Sequence, residues 1–144
     1  MAYEIGRKRV RDTEEFNDFA LGLRLPIKAG NGGFFEQNFT TIDQAKSNIQ
    51  NLMLTRQGER LIQTEFGTGL SRMLFEQMNA PDFEDRVVDT IETALNTWLP
   101  YITLEDIELD LSAENLDRNK VDVTIFFRVG TDINTESVTF TVEE

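Results

Sequence analysis

The stretch Pro81-Asp-Phe-Glu-Asp-Arg-Val-Val-Asp-Thr-Ile-Glu-Thr-Ala-Leu-Asn-Thr-Trp-Leu-Pro-Tyr-Ile-Thr-Leu104 changes its period at Pro100. Before the proline, Phe83, Val87, Val88, Ile91, Ala94, Leu95 and Trp98 recur at helical spacing, with Asp85, Asp89 and Glu92 on another side. Asn79 is placed to cap this helix, Pro81 suits its first turn, and Asp82, Glu84 and Asp85 favour its positive end. Pro100 ends it. After the proline the period is 2: Ile102 and Leu104 alternate, then Ile107, Leu109 and Leu111 in the opposite phase, which predicts a bulge at Glu105-Asp106. Val121, Val123, Ile125, Phe127 and Val129 alternate without a break, and so do Val138, Phe140 and Val142. Loops over 113–119 and 130–135 join these strands into an antiparallel meander of about three strands. The fold class is therefore α+β, with amphipathic helices packed on a small C-terminal sheet.

Working back toward the N-terminus, Ile42, Ala45, Ile49, Leu52 and Met53 mark a helix that begins at Thr41, with Thr41 and Gln44 as its capping box. It stops near Thr55, and Gly58 supplies the left-handed conformation that ends helices. Leu61-Ile62 and Phe66-Gly67 form an irregular stretch, and a short helix covers Leu70 to Glu76, with Leu70, Leu74 and Phe75 on one face. The first 40 residues read as a strap of short extended pieces whose aromatic residues, Phe16, Phe19, Phe34 and Phe35, plug into the core. A phosphate loop at Gly30–Gly33 lacks the Gly-Lys-Ser/Thr that would support it. The chain reads as one domain over 1–144: an arm (1–20), strap and helices (21–100) and the sheet (101–144).

Composition narrows the chemistry. The 144 residues include no Cys and no His, which removes thiolate chemistry, disulfides, the commonest zinc ligand and the usual base near neutral pH. No cofactor or metal is expected. No apolar run reaches the ~20 residues of a spanning helix, and no secretory signal is read at the N-terminus. Residues 1–72 hold 10 Lys and Arg against 9 Asp and Glu, and residues 73–144 hold 4 against 17, so a total of -12 divides into +1 and -13. The acidic half disfavours nucleic acid, and the basic cluster Arg7, Lys8, Arg9 and Arg11 reads as a solvated arm or one that meets an acidic protein.

Carboxylates are the remaining candidates for catalysis: Glu59, Glu65 and the group Glu105, Asp106, Glu108 and Asp110. The last group alternates with apolar residues and reads as the wet face of a strand; no calcium loop or serine-hydrolase motif is present. In Leu54-Thr55-Arg56-Gln57-Gly58-Glu59-Arg60, adjacent Glu and Arg are expected to pin the helix exit to the sheet.

Ile49–Leu54, Thr55, Gly58-Glu59-Arg60, Glu65-Phe66-Gly67 and Leu74-Phe75-Glu76, with Leu23-Arg24-Leu25-Pro26 and Gly32-Gly33 upstream, resemble the small baseplate wedge family of contractile-tailed phages. That family is sometimes labelled lysozyme-like and has relatives in type VI secretion baseplates and other contractile injection systems. The resemblance runs from about Gly22 to Gly130 and implies a structural, non-enzymatic wedge subunit, assembled in the host cytoplasm as a late protein and present in several copies of a symmetric virion baseplate. It implies Thr55, Gly58, Glu59, Arg60, Phe66, Gly67 and Pro100 as motif residues, and as partners other wedge proteins and the tail sheath protein, with neither nucleic acid nor membrane. The family's Glu-Pro-Arg after the long helix, which helps to hold the wedge core, is here Leu99-Pro100-Tyr101: the proline is kept and both charges are absent. Family members initiate the sheath by sharing strands with its first ring. The terminal strand Ser137, Val138, Thr139, Phe140, Thr141, Val142 is the segment suited to this, and its removal with residues 143–144 is expected to spare the fold. A muramidase using Glu59 or Glu65, or an adaptor for a bacterial regulator, are the alternatives.

Overall fold

The strand Lys120–Val129 (β4) sits between two neighbours because it alone alternates buried and half-buried residues along its whole length. A computed structural model describes residues 19–30, 35–76, 81–112, 115 and 120–143. In it Ile102–Asp110 (β3) and Glu136–Glu143 (β5) flank β4, giving a three-stranded antiparallel sheet in the order β3-β4-β5. The register runs Ile102 opposite Val129 and Val123 opposite Phe140, and it shifts between Leu104 and Asp106, so Glu105 is the extra residue that reverses the phase of β3.

Val121, Val123, Ile125 and Phe127 are fully buried on one sheet face and meet Val138, Phe140 and Val142 of β5 there. Each such aliphatic or aromatic side chain contributes roughly 1.5–3 kcal/mol on burial. The expectation that 137–144 can be removed without loss of fold therefore fails: three core side chains would leave with it. The helices close the same face. Thr41–Leu54 (α1) lies against β5, Phe83–Trp98 (α3) lies against β3, and Leu70–Glu76 (α2) packs on α3 and α1. Ile49, Leu52, Leu70, Val87 and Ile91 are fully buried between them, whereas Val88 is exposed and Trp98 half-buried. The side chains of Leu74 and Phe75, expected on the face of Leu70, lie outside the described set.

Helix ends differ from the sequence reading by one or two residues. Thr40, not Thr41, caps α1: its Oγ1 accepts from Asp43 N at 3.1 Å and donates to Asp43 Oδ2 at 2.7 Å, so Asp43 takes the place given to Gln44. The reason is that Gln44 is already engaged, its amide bonding Asn38 and Asn48. α3 begins at Phe83 with Asp82 in the cap position, so Pro81 precedes the first turn; Asn79 lies outside the described residues.

Among its described residues, the strap is tied to α1 by a buried amide. Gly22–Leu23 (β1) and Gln37–Asn38 (β2) pair antiparallel over α1. Phe19 and Phe35 are 68% and 52% exposed, while Asn38 is 2% exposed. Its Nδ2 lies 2.8 Å from Ser47 Oγ, 3.1 Å from Gln44 Oε1 and 3.1 Å from Leu23 O, tying the strap to the first turns of α1. Phe16, Asn31, Gly32, Gly33, Phe34 and the basic arm lie outside the described residues, as do 113–114 and 116–119 of the β3–β4 connection.

Candidate functional site: a locked loop and an open sheet edge

α1 ends at Leu54 and the chain closes a loop that begins and ends at one point, a parallel bridge between Arg56 and Thr68. Thr68 N donates to Thr55 O at 2.9 Å and Thr68 Oγ1 to Met53 O at 3.0 Å, so the returning strand satisfies carbonyls that the helix end leaves free. Two glycines make the path possible. Gly58 has φ +87° and opens a turn in which its N–H donates to Thr64 O at 2.7 Å. Gly67 has φ +111°, and a Cβ there would lie 2.3 Å from Thr55 O. Gly58 thus serves the loop and not the helix terminus, where Thr55 is extended.

Glu59 and Arg60 face different partners. Glu59 Oε2 accepts from Arg56 N at 3.1 Å, closing the turn beneath it. Arg60 donates to Asn51 Oδ1 at 3.2 Å and its guanidinium lies 3.8 Å over the Phe66 ring, which meets Trp98 edge-on at 5.2 Å. Glu59 thus bonds within the loop and Arg60 bonds α1 and the loop's Phe66, through which it is linked to α3; the contacts described do not run to the sheet. Arg60 needs both its planar cation and its fork for this, a combination that lysine lacks.

Leu99-Pro100-Tyr101 turns the chain from α3 into β3. Leu99 is buried, Pro100 is exposed, and the Tyr101 hydroxyl accepts from Asn48 Nδ2 at 2.8 Å. Of the two residues standing where the resembled family has charges, Leu99 joins the core and Tyr101, 38% exposed, bonds α1 at the surface. Neither the Asn38 amide nor the Tyr101 hydroxyl was legible as an anchor, because a single polar residue in an irregular segment carries no periodic signal.

Glu59 and Glu65 are both exposed. Glu65 borders an open cleft of about 680 Å³ that Asp89, Thr93 and Trp98 also line. In the acidic group, Glu105 pairs with Arg128, Asp106 accepts from Ile107 N at 2.8 Å, and Asp110 accepts from Ser112 N at 3.0 Å and Asn115 Nδ2 at 3.0 Å. These carboxylates answer neighbours in their own chain. No group of three acidic side chains able to hold a metal occurs among the described residues, nor is any described helix long and apolar enough to cross a membrane.

β5 pairs with β4 on one side and with no described strand on the other. Beside that outer edge lies a second cleft, about 430 Å³, bounded by Leu25, Pro26, Gln50 and Leu54 and by Thr139–Thr141 of the strand. Gln50 Nε2 reaches Thr139 O at 3.5 Å from within it. Ser137, Thr139 and Thr141 are exposed and Val138, Phe140 and Val142 buried, so the edge has one wet and one dry face.

The described residues thus form an α+β unit with a three-stranded sheet whose last strand is paired on one side only, and a loop locked by two glycines. The chain belongs to the baseplate wedge protein gp25 family, whose model matches residues 42–136. It is thereby a structural component of the tail baseplate of a contractile system. No curated protein matches it by sequence. Among solved structures it resembles a candidate tail lysozyme from Geobacter sulfurreducens, with 19% identity over 73% of this chain and 93% of that one and a TM-score of 0.61. It also resembles a chain of the anti-feeding prophage baseplate, with 13% identity over 83% of this chain and 81% of that one and a TM-score of 0.54. At these identities the two structures speak to fold alone.

Proposed function

We propose that this chain is a non-enzymatic wedge subunit that starts sheath assembly by letting a strand of the sheath protein extend its sheet at β5. The observation that carries this reading is the outer edge of β5, which no described strand pairs and which only the Gln50 amide touches at Thr139 O, bordered by a cleft that can seat side chains of an added strand. The C-terminal half, at -13, would steer a basic sheath surface toward this edge and discourage edge-to-edge pairing between copies of the chain. Thr55, Gly58, Glu59, Arg60, Phe66, Gly67 and Pro100 then hold the shape that neighbouring wedge proteins grip, in several copies around a symmetric baseplate.

Deletion of β5 cannot test this, since it would remove core residues. Blocking the edge can. The Thr139 carbonyl faces the Gln50 amide and not β4, so a proline at 139 removes an outward N–H. Thr139→Pro is expected to fold, to enter baseplates and to leave them without sheath; Thr141→Lys, which puts a charge at the same edge, is expected to do the same. Normal sheath on baseplates that contain folded Thr139→Pro or Thr141→Lys would overturn the reading.

The cleft that holds Glu65, Asp89 and Trp98 is the one feature that favours a muramidase instead. A peptidoglycan-release assay decides between them: turnover by the purified chain that disappears in Glu65→Gln or Glu59→Gln would replace the structural reading.

A further inference from the structure

Pairing geometry at the β5 edge fixes where the side chains of an added strand must go. Thr139 turns its carbonyl outward, to the Gln50 amide at 3.5 Å, so Thr139 and Thr141 offer their backbone groups to an added strand while those of Phe140 between them face β4. The Thr139 and Thr141 side chains are exposed, whereas Phe140 is 5% exposed and belongs to the core beneath the sheet. Residues directly opposite each other in a sheet point to the same face. An added residue opposite Phe140 therefore sends its side chain into the cleft of about 430 Å³ under this edge.

That cleft suits an apolar side chain. Leu54 from the end of α1, Leu25 and Pro26 from the strap, and Phe140 itself line it, and Leu54 is 50% exposed although Leu52 and Met53 just before it are buried. A cavity of about 150 Å³ holds a benzene molecule, so there is room for one large side chain opposite Phe140 and part of a neighbour two positions along. Among the described residues that line the cleft Glu59 alone is charged, which disfavours a carboxylate there. The Gln50 amide stands at Thr139 O, where an N–H of the added strand would donate, and it must swing aside when the strand arrives.

We infer that this cleft is the specificity pocket of the β5 edge: it takes a large apolar side chain from the residue of the sheath strand that lies opposite Phe140, and so fixes that strand's register. The inference rests on the strand-sharing reading and adds to it which strand is accepted. Backbone bonds cannot make this choice, because a strand slipped by two residues forms the same set; pockets for alternate side chains can.

The test separates pocket from edge. Baseplates carrying wild-type chain, Leu54→Ala, Leu54→Met, Leu54→Glu or Thr139→Pro are purified, their content of the chain is quantified, and purified sheath protein is titrated onto them. Leu54 lies outside the core, so its variants should melt close to wild type. Docking would newly bury only the exposed half of Leu54, so Leu54→Ala should raise the sheath protein needed for half-maximal sheathing about tenfold. Leu54→Met should match wild type, and Leu54→Glu should stay bare where Leu54→Ala is fully sheathed. A photoreactive leucine at position 54 should cross-link to a large apolar residue of the sheath protein. Wild-type sheathing of Leu54→Glu baseplates while Thr139→Pro baseplates stay bare overturns the pocket and leaves strand sharing standing; sheathing of both overturns both. An unchanged midpoint for Leu54→Ala, or a cross-link from position 54 to a wedge protein instead of the sheath, also overturns the pocket.

Discussion

Two glycines in one loop should respond unequally to the same substitution. Gly58 and Gly67 both have positive φ, at +87° and +111°, where an L-residue costs roughly 1–2 kcal/mol. Alanine also restricts the unfolded chain, which returns roughly 0.4–1 kcal/mol. At Gly58 nothing lies within 4 Å of the new Cβ, so the net loss for Gly58→Ala is about 1 kcal/mol. At Gly67 the Cβ would sit 2.3 Å from Thr55 O and 2.9 Å from its carbonyl carbon, both backbone atoms that no rotamer change can move. The loop must retreat, which breaks Thr68 N–H to Thr55 O at 2.9 Å and Thr68 Oγ1 to Met53 O at 3.0 Å. At about 1 kcal/mol each, and more for an acceptor left buried, Gly67→Ala should lose about 3–5 kcal/mol. In urea, with a slope of about 2 kcal/mol/M, the midpoint should fall by about 0.5 M for Gly58→Ala and by about 1.5–2.5 M for Gly67→Ala. Gly69→Ala, with open space and no positive φ, should leave it nearly unchanged. Equal shifts at 58 and 67 would refute the claim that the close approach to Thr55 decides the loop.

Further outcomes follow from the anchors. Asn38→Leu keeps the volume but leaves Gln44 Oε1 and Leu23 O without their Asn38 donor, while Ser47 Oγ still accepts from Leu25 N and the unpartnered Asn38 Oδ1 is removed, so it should cost about 1–3 kcal/mol, read from the urea midpoint. Phe66→Ala removes the ring between Arg60 and Trp98, and because Trp98 is the single tryptophan its emission should shift to longer wavelength, as it should less strongly in Arg60→Lys. Tyr101→Phe loses one solvent-accessible bond to Asn48 and should lower stability by about 0.5–1 kcal/mol, a few degrees in the thermal midpoint.

Periodic elements were legible and isolated contacts were not. The strands β3 to β5, the bulge at Glu105 and the helix Leu70–Glu76 follow from spacing, because burial of one face imposes a regular pattern on every residue of the element. Cap residues slipped where two candidates sat side by side: Thr40 and Thr41 are the same residue type, and only the prior engagement of Gln44 selects between them. In the strap, apolar character alone does not send a side chain to the core. Phe19 and Phe35 stay exposed, since four α1 and strap acceptors around the Asn38 amide already fix that segment. At the candidate site, Gly58, Glu59 and Arg60 stood out in the sequence as a group, yet their partners Arg56, Asn51 and Phe66 could only come from the folded loop.

Helix α1 connects these features. On its buried side Ala45, Ile49, Leu52 and Met53 enter the core, and its polar residues reach the strap, the entrance to β3, the loop and β5. Ser47 and Gln44 hold the strap, Asn48 holds Tyr101 at the entrance to β3, and Asn51 holds Arg60 in the loop. Lys46 pairs with Glu136 at 2.8 Å where β5 begins, with both side chains about two-thirds shielded, and Gln50 reaches Thr139 on the open edge. The edge proposed to receive a sheath strand and the loop whose shape neighbouring wedge proteins are proposed to grip are therefore carried by a single rigid body. A subunit gripped through the loop fixes the direction in which β5 points, and a strand added at β5 transmits its load through α1 to that grip. The division of charge fits this proposed arrangement: the helix and loop belong to the nearly neutral half, and the sheet belongs to the acidic half, where charge would steer a basic strand to the edge and keep copies of the chain apart.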